Sequence, residues 1–139
     1  MCLIFFVFCN TVFREAQGDL LMYDKNNVFA KIVRGEIPSK RIYENAYALS
    51  FYDIDPAATV HALIIPRGEY ENILDFSANA SDDEKLGFFD CLNKTAEKLG
   101  VTDCNIFANT GNGVYIRQSV PHFHMHIVAG EKIKEITTL

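Results

Sequence analysis

The sequence predicts an α+β domain: a mostly antiparallel sheet of about five strands, with one long and one short helix. Three observations carry this. Residues 122–128 alternate His122, His124 and His126 with Phe123, Met125 and Ile127, the period of two expected of a half-buried strand. Residues 81–100 carry a helix with its own start and stop signals. The elements between and around them follow in the order β-β-β-α-β-β with few parallel-crossover signals, a pattern that favours antiparallel pairing.

Residues 1–24 do not share the later pattern. Leu3 to Phe8 are all apolar, but the run is far short of the ~20 residues of a membrane span, and no basic residue precedes it and no A-x-A site follows. The expectation is an atypical N-terminal extension, as an extra strand or as translation begun upstream of Met22. The regular domain then occupies residues 25–130, and residues 131–139 form a tail. Phe29, Ile32 and Val33 have i, i+3, i+4 spacing, which predicts a short helix ending at Gly35 before Pro38. Arg41–Tyr43 and Ala46–Asp53 read as strands around a Glu44-Asn45 turn, and Asp55-Pro56 breaks the second. Val60–Ile65 is a third strand, ended by Pro66. Ser81-Asp82-Asp83-Glu84 has capping-box spacing and opens the long helix. Leu86, Phe89, Leu92, Ala96 and Leu99 are its predicted apolar stripe, with Gly100 as the stop. Asp103–Asn109 is a fourth strand. Asn109-Thr110-Gly111-Asn112-Gly113 then forms a loop whose backbone N–H groups suit an anion.

A chain of 139 residues, 49% apolar and 22% charged, suits one folded domain and excludes disorder. Its net charge of −5 provides no broad basic surface, so long polynucleotides are not expected partners. Phosphate contacts must be local. Cys2, Cys9, Cys91 and Cys104 show no C-x-x-C spacing and no secreted-domain framework. Reduced thiols in a cytoplasmic protein are the expectation, with Cys91 and Cys104 as small buried hydrophobes.

Three of the four histidines lie on one face of the last strand. Same-face neighbours are about 6.6 Å apart, so three span about 13 Å. Zinc holds each nitrogen at about 2.0–2.1 Å, so three consecutive same-face residues cannot converge on one ion. Two of them with His61 could, but no cysteine or acidic cluster supports a metal, and none is expected. A strand with incidental histidines is the bland alternative, and three at strict alternation argue against it. What remains is nucleophilic and acid–base work on phosphate. A neutral imidazole attacks phosphorus readily, and the middle residue, His124, can be oriented from both sides. Its second ring nitrogen needs an acceptor, usually a backbone carbonyl, to fix the tautomer. One flanking histidine can then protonate a leaving group while the other binds phosphate oxygens.

The segment His122-Phe123-His124-Met125-His126-Ile127-Val128 fits H-φ-H-φ-H-φ-φ and resembles the motif of the histidine-triad (HIT) family. Residues 28–38 (VFAKIVRGEIP), Phe51-Tyr52-Asp53-Ile54 and His61-Ala62-Leu63-Ile64-Ile65-Pro66 resemble successive blocks of its Hint branch, in the same order. The resemblance covers roughly residues 25–130. It implies a homodimeric HIT-like fold that binds purine nucleoside monophosphates or their phosphoramidates. By position it makes His124 the nucleophile, assisted by His122 and His126, with His61 completing the histidine cluster. It makes Asp53 the acceptor for the ribose hydroxyls, and Phe29, Ile32, Phe51 and Ile54 an apolar slot for the base. Asn109, Gln118 and Ser119 fall at positions that contact phosphate or leaving group. By themselves Phe29, Ile32 and Phe51 read as core, His61 as a satisfied core histidine, Asp53 as a turn former and Asn109 as a loop former.

Two features depart from the family pattern. The loop before His122 is longer than usual, and Ile116-Arg117 stands where small residues are common. Arg117 is there either a phosphate ligand or a solvated loop charge. Pro121 removes a backbone donor and fixes φ just before the motif. The function implied is hydrolysis of nucleoside 5′-phosphoramidates or related nucleotidyl compounds at the α-phosphate, through a nucleotidyl-histidine and without a cofactor. The rival expectations are a Fhit-type dinucleoside polyphosphate hydrolase and a nucleotide-binding interaction module with little turnover. A transferase and a DNA-end-processing enzyme are disfavoured, the first by the third motif histidine and the second by acidity.

Overall fold

A computed structural model describes residues 22–130. The expectations for residues 1–21 and 131–139, with Cys2 and Cys9, lie outside that span. The elements run α1 (Val28–Val33), β1 (Arg41–Glu44), β2 (Ala48–Tyr52), β3 (Val60–Pro66), α2 (Ile73–Asn79), α3 (Asp82–Leu99), β4 (Asn105–Phe107) and β5 (Met125–Ala129). The strands form one antiparallel sheet in the order β1-β2-β3-β5-β4. The predicted fold class is therefore the observed one. Among the described residues no helix is long and apolar enough to cross a membrane.

Local chemistry explains most boundaries. The Asn27 side chain accepts from the Ala30 N–H at 2.8 Å and starts α1. Asn45 turns β1 into β2 by accepting from the Tyr47 and Ala48 N–H groups at 2.8 and 2.9 Å. Both halves of the predicted capping box are present at Ser81 and Glu84. Gly100 ends α3 at φ 68°, a left-handed conformation that costs glycine nothing.

The sheet has two packed faces. Ala48, Ala62, Ile64, Phe123 and Ile127 meet Phe76 of α2 and Phe88 and Cys91 of α3. On the other face, Leu49, Phe51, Leu63 and Ile65 meet Phe29 and Ile32 of α1. Side chains alternate along each strand, so His61 of β3 and His126 of β5 share the α1 face.

Four expectations need correction. The histidine strand does not begin at His122: the ladder starts at Met125, opposite Ile64. Before that point the backbone bonds elsewhere, since the Phe123 N–H goes to the Tyr70 carbonyl at 2.7 Å and the Pro66 carbonyl is taken by the His122 ring. The fourth strand spans only Asn105–Phe107 rather than Asp103–Asn109. A second short helix, α2, was not foreseen; Asn72 caps it by accepting from the Asp75 N–H at 2.9 Å, and with seven residues it is too short to show clear periodicity. Finally, α3 is rotated from its predicted phase. Leu86 and Phe89 are 71% and 56% exposed, and Phe88, Cys91 and Thr95 are buried instead. Gly87 sets that rotation: a Cβ there would lie 2.4 Å from the Tyr47 ring, so only glycine lets the helix settle on this side.

Candidate active site

The loop from His122 to His124 and strands β3 and β5 bring all four histidines to the α1 face, against Phe29. The Phe29 ring meets the His124 and His122 rings edge-on at 5.0 and 6.4 Å, and the Phe51 ring at 5.7 Å. His61, His122, His124 and His126 are all buried, with at most 5% of their surface exposed. The sequence suggested a polar strand face open to water; the imidazoles are instead part of a packed interior. Phe29, Ile32 and Phe51 belong to the same buried cluster.

Each ring's tautomer follows from its partners. His124 Nδ1–H donates to the His122 carbonyl at 2.7 Å, which leaves the Nε2 lone pair of His124 available. His122 Nε2–H donates to the Pro66 carbonyl at 2.9 Å, and its Nδ1 accepts from the Tyr23 hydroxyl. The Ala57 N–H donates to His61 Nδ1 at 3.0 Å, so His61 Nε2 carries the proton. That proton faces His126 Nδ1 at 2.9 Å and Asp53 Oδ2 at 3.4 Å. The chain ends on His126 Nε2–H, a buried donor with no hydrogen-bond partner among the described residues, in a ring stacked on Phe107 at 4.7 Å and 5.1 Å from the His124 ring. An unmatched buried donor is costly and wants an acceptor.

Burial lowers all three motif histidines below their ordinary pKa of 6.5. His122 falls to about 4, and His126, also beside His124 and His61, to about 3. His124 is lowered by burial, opposed by its bond to the His122 carbonyl and by the negative charge of Asp53. These rings are neutral at pH 7, the state in which one can act as a nucleophile and another as a hydrogen-bond donor.

Asp53, His61 and His126 bring possible metal-ligating atoms within 4.8 Å of one another. The hydrogen bonds oppose that use. With Nδ1 of His61 accepting from Ala57, its Nε2 holds a proton and has no lone pair for an ion. His61 Nε2–H instead faces His126 Nδ1, with the Asp53 carboxylate beside it.

The remaining predicted residues are dispersed. Ile54 follows β2 in a fully exposed turn and does not join the apolar cluster. Asn109 is buried at the start of the loop. Both amide hydrogens of Gln118 are spent on the Glu71 and Val120 carbonyls, at 2.6 and 2.8 Å, leaving only its oxygen as an acceptor. Ser119 is exposed. The longer loop folds as a small hairpin, with Asn112 bridged to Arg117, and Val114, Tyr115 and Ile116 exposed at its tip. Arg117 is exposed there as well, as a solvated charge would be. Tyr23, Phe107, the Ala57 N–H and the Pro66 carbonyl escaped the sequence analysis. Backbone groups carry no residue signal; for Phe107, the register opposite His126 was the missing information.

A family model described as "HIT domain" matches residues 34–133. An uncharacterised 13.2 kDa HIT-like protein of Azospirillum brasilense is 42% identical over 118 residues, covering 84% of this chain and 95% of that protein. Among solved structures, a HIT family hydrolase from Clostridium thermocellum superposes with a TM-score of 0.67 at 34% identity, covering 80% of this chain and 96% of that one. A histidine triad nucleotide-binding protein from Candida albicans gives a TM-score of 0.62 at 32% identity, over 73% of each chain.

Proposed function

The chain belongs to the HIT-domain family, and from that premise we propose that it hydrolyses nucleoside 5′-phosphoramidates or related nucleotidyl compounds at the α-phosphate. One observation carries the reading. The Nε2 lone pair of His124 is fixed by the proton that Nδ1 gives to the His122 carbonyl, and the neighbouring His126 presents an unpartnered Nε2–H. A nucleophile and a hydrogen-bond donor thus sit side by side in an apolar surround. The names of the Clostridium hydrolase and the Candida nucleotide-binding protein favour the same chemistry.

His124 Nε2 attacks the α-phosphorus and the bond to the leaving nitrogen breaks. His126 Nε2–H donates a hydrogen bond to the phosphoryl oxygens, the departing amine takes its proton from solvent, and His61 Nε2–H holds the His126 ring through Nδ1. The positive charge on the nucleotidyl-imidazolium is held through Nδ1–H by the His122 carbonyl. Water then attacks phosphorus, loses its proton to solvent and frees the monophosphate, restoring the Nε2 lone pair of His124. Asp53 receives the ribose hydroxyls. Phe29, Ile32 and Phe51 present the apolar wall for a purine base, and Ile54 stands outside it. A homodimer fits the exposed sheet edge at β4, where Ile106 is 44% exposed.

The test is intact-protein mass spectrometry after mixing with an adenosine phosphoramidate, beside steady-state turnover. The wild-type protein is expected to gain one nucleotidyl group on His124, and His124→Ala to lose both adduct and turnover. Full turnover by His124→Ala would overturn the assignment. Faster cleavage of a diadenosine polyphosphate than of the phosphoramidate would place the chain with the Fhit-type hydrolases.

A further inference from the structure

Tyr23 lies outside the matched family region and within the span that the sequence sets apart as an extension. Its hydroxyl nevertheless reaches the first motif histidine, and its ring meets that imidazole edge-on at 5.7 Å. The His122 ring is wholly buried and its Nε2–H is committed to the Pro66 carbonyl, so its Nδ1 is a lone pair that needs a donor. A buried acceptor without one pays its full desolvation cost. The Tyr23 O–H is that donor. With both nitrogens engaged, the ring can neither flip nor exchange tautomers, and the main chain of the same residue supplies the carbonyl that holds His124 Nδ1–H at 2.7 Å.

We infer that Tyr23 is a positioning residue for the nucleophile, acting through His122: its hydroxyl locks the His122 ring, and the locked residue keeps its carbonyl under His124 Nδ1. The inference rests on the proposed function for its kinetic arm alone. Burial raises the Tyr23 phenol above its ordinary pKa of 10.0, so it keeps the proton that it donates. The groups facing the His122 ring are Tyr23 from the N-terminal segment, His124 from its own segment, the Pro66 carbonyl from β3 and the Phe29 ring from α1. None carries a negative charge that would favour an imidazolium. When the hydroxyl is removed, Nδ1 is left as a buried lone pair without that donor, and the ring and the carbonyl beneath His124 Nδ1 lose the contact that fixes them. The neutral ring also loses a bond that favoured it, so His122 takes a proton at a higher pH than in the wild type, and a cation there weakens His124 on the acid side.

Tyr23→Phe removes one oxygen and keeps the ring. The rate of nucleotidyl-histidine formation is expected to fall about tenfold to a hundredfold, because small displacements of a nucleophile cost that much, with KM changed less than about threefold. The acid limb of the rate profile should move to higher pH in the variant; loosening of the fold alone would scale the rate equally at every pH. Rates and profile like those of the wild type would overturn the inference. A second measurement needs neither activity nor a folded variant: ring-nitrogen NMR of the wild-type protein. His122 is expected as the Nε2–H tautomer, with an unprotonated and hydrogen-bonded Nδ1. Finding Nδ1–H on His122 would overturn the inference, whereas a wild-type protein with this tautomer and no adduct would overturn the enzymatic reading and leave the lock standing.

Discussion

Lowering the pH from 7.5 to 5.0 should destabilise this protein through its buried imidazoles. His122 and His126 ordinarily take a proton near pH 6.5, but in the fold they do so only near 4 and 3. Between those values the unfolded chain binds protons that the folded chain refuses, so stability falls as pH drops through 6.5. Each pH unit in that window costs about 1.4 kcal/mol per ring. At pH 5 both rings remain neutral in the fold, and each has cost about 2 kcal/mol, or about 4 for the pair. His124, lowered by the same burial, adds in the same direction. Glu71, raised by burial and by Asp75, opposes them weakly. Glu36 and Glu44, lowered by arginine partners from 4.5, lose their contribution only at still lower pH. A total of about 4 kcal/mol is a large share of the 5–15 kcal/mol typical of a domain. Urea denaturation at fixed ionic strength, repeated from pH 7.5 to 5.0, measures it directly. A change smaller than about 1 kcal/mol across that range would refute the claim that these rings are buried and neutral.

Two further tests concern the scaffold. Phe88→Ala should cost about 3–5 kcal/mol in the same denaturation assay, because its buried ring stacks on Phe123 and meets Phe76 at a tilt. Leu86→Ala, two residues away on the exposed side of α3, should stay within about 0.5 kcal/mol; equal losses would mean that the helix sits in its sequence-predicted phase. Ile106→Arg places a charge on the open β4 edge and should convert the proposed dimer to monomer in sedimentation equilibrium; a monomeric wild-type protein would refute the dimer.

Much of the fold was legible because local signals and global packing agree. The Ser81–Glu84 box, the Gly100 stop, the Asn45 turn and the Pro66 strand end each act within a few residues of chain, and each appears where the pattern put it. The phase of α3 was not legible. Leu86 and Phe89 are as apolar as Phe88, and only the approach of Tyr47, brought from another part of the chain to Gly87, decides which side turns inward.

The candidate site divides in the same way. Alternation put three imidazoles on one side of the chain, and the fold keeps them together although only His126 lies in the strand and His122 and His124 are carried by the loop before it. Their protonation was beyond any local rule. Which nitrogen of each ring holds a proton depends on the carbonyls of His122 and Pro66, the N–H of Ala57 and the hydroxyl of Tyr23. Ala57 and Tyr23 come from chain far from the motif, and backbone groups are the same in every residue. The sequence by itself determined which chemistry-bearing side chains are present and that they share a face. Only the tertiary structure decided that they are buried, neutral and ordered into donors and acceptors, because desolvation and hydrogen-bond partnership arise where distant segments meet.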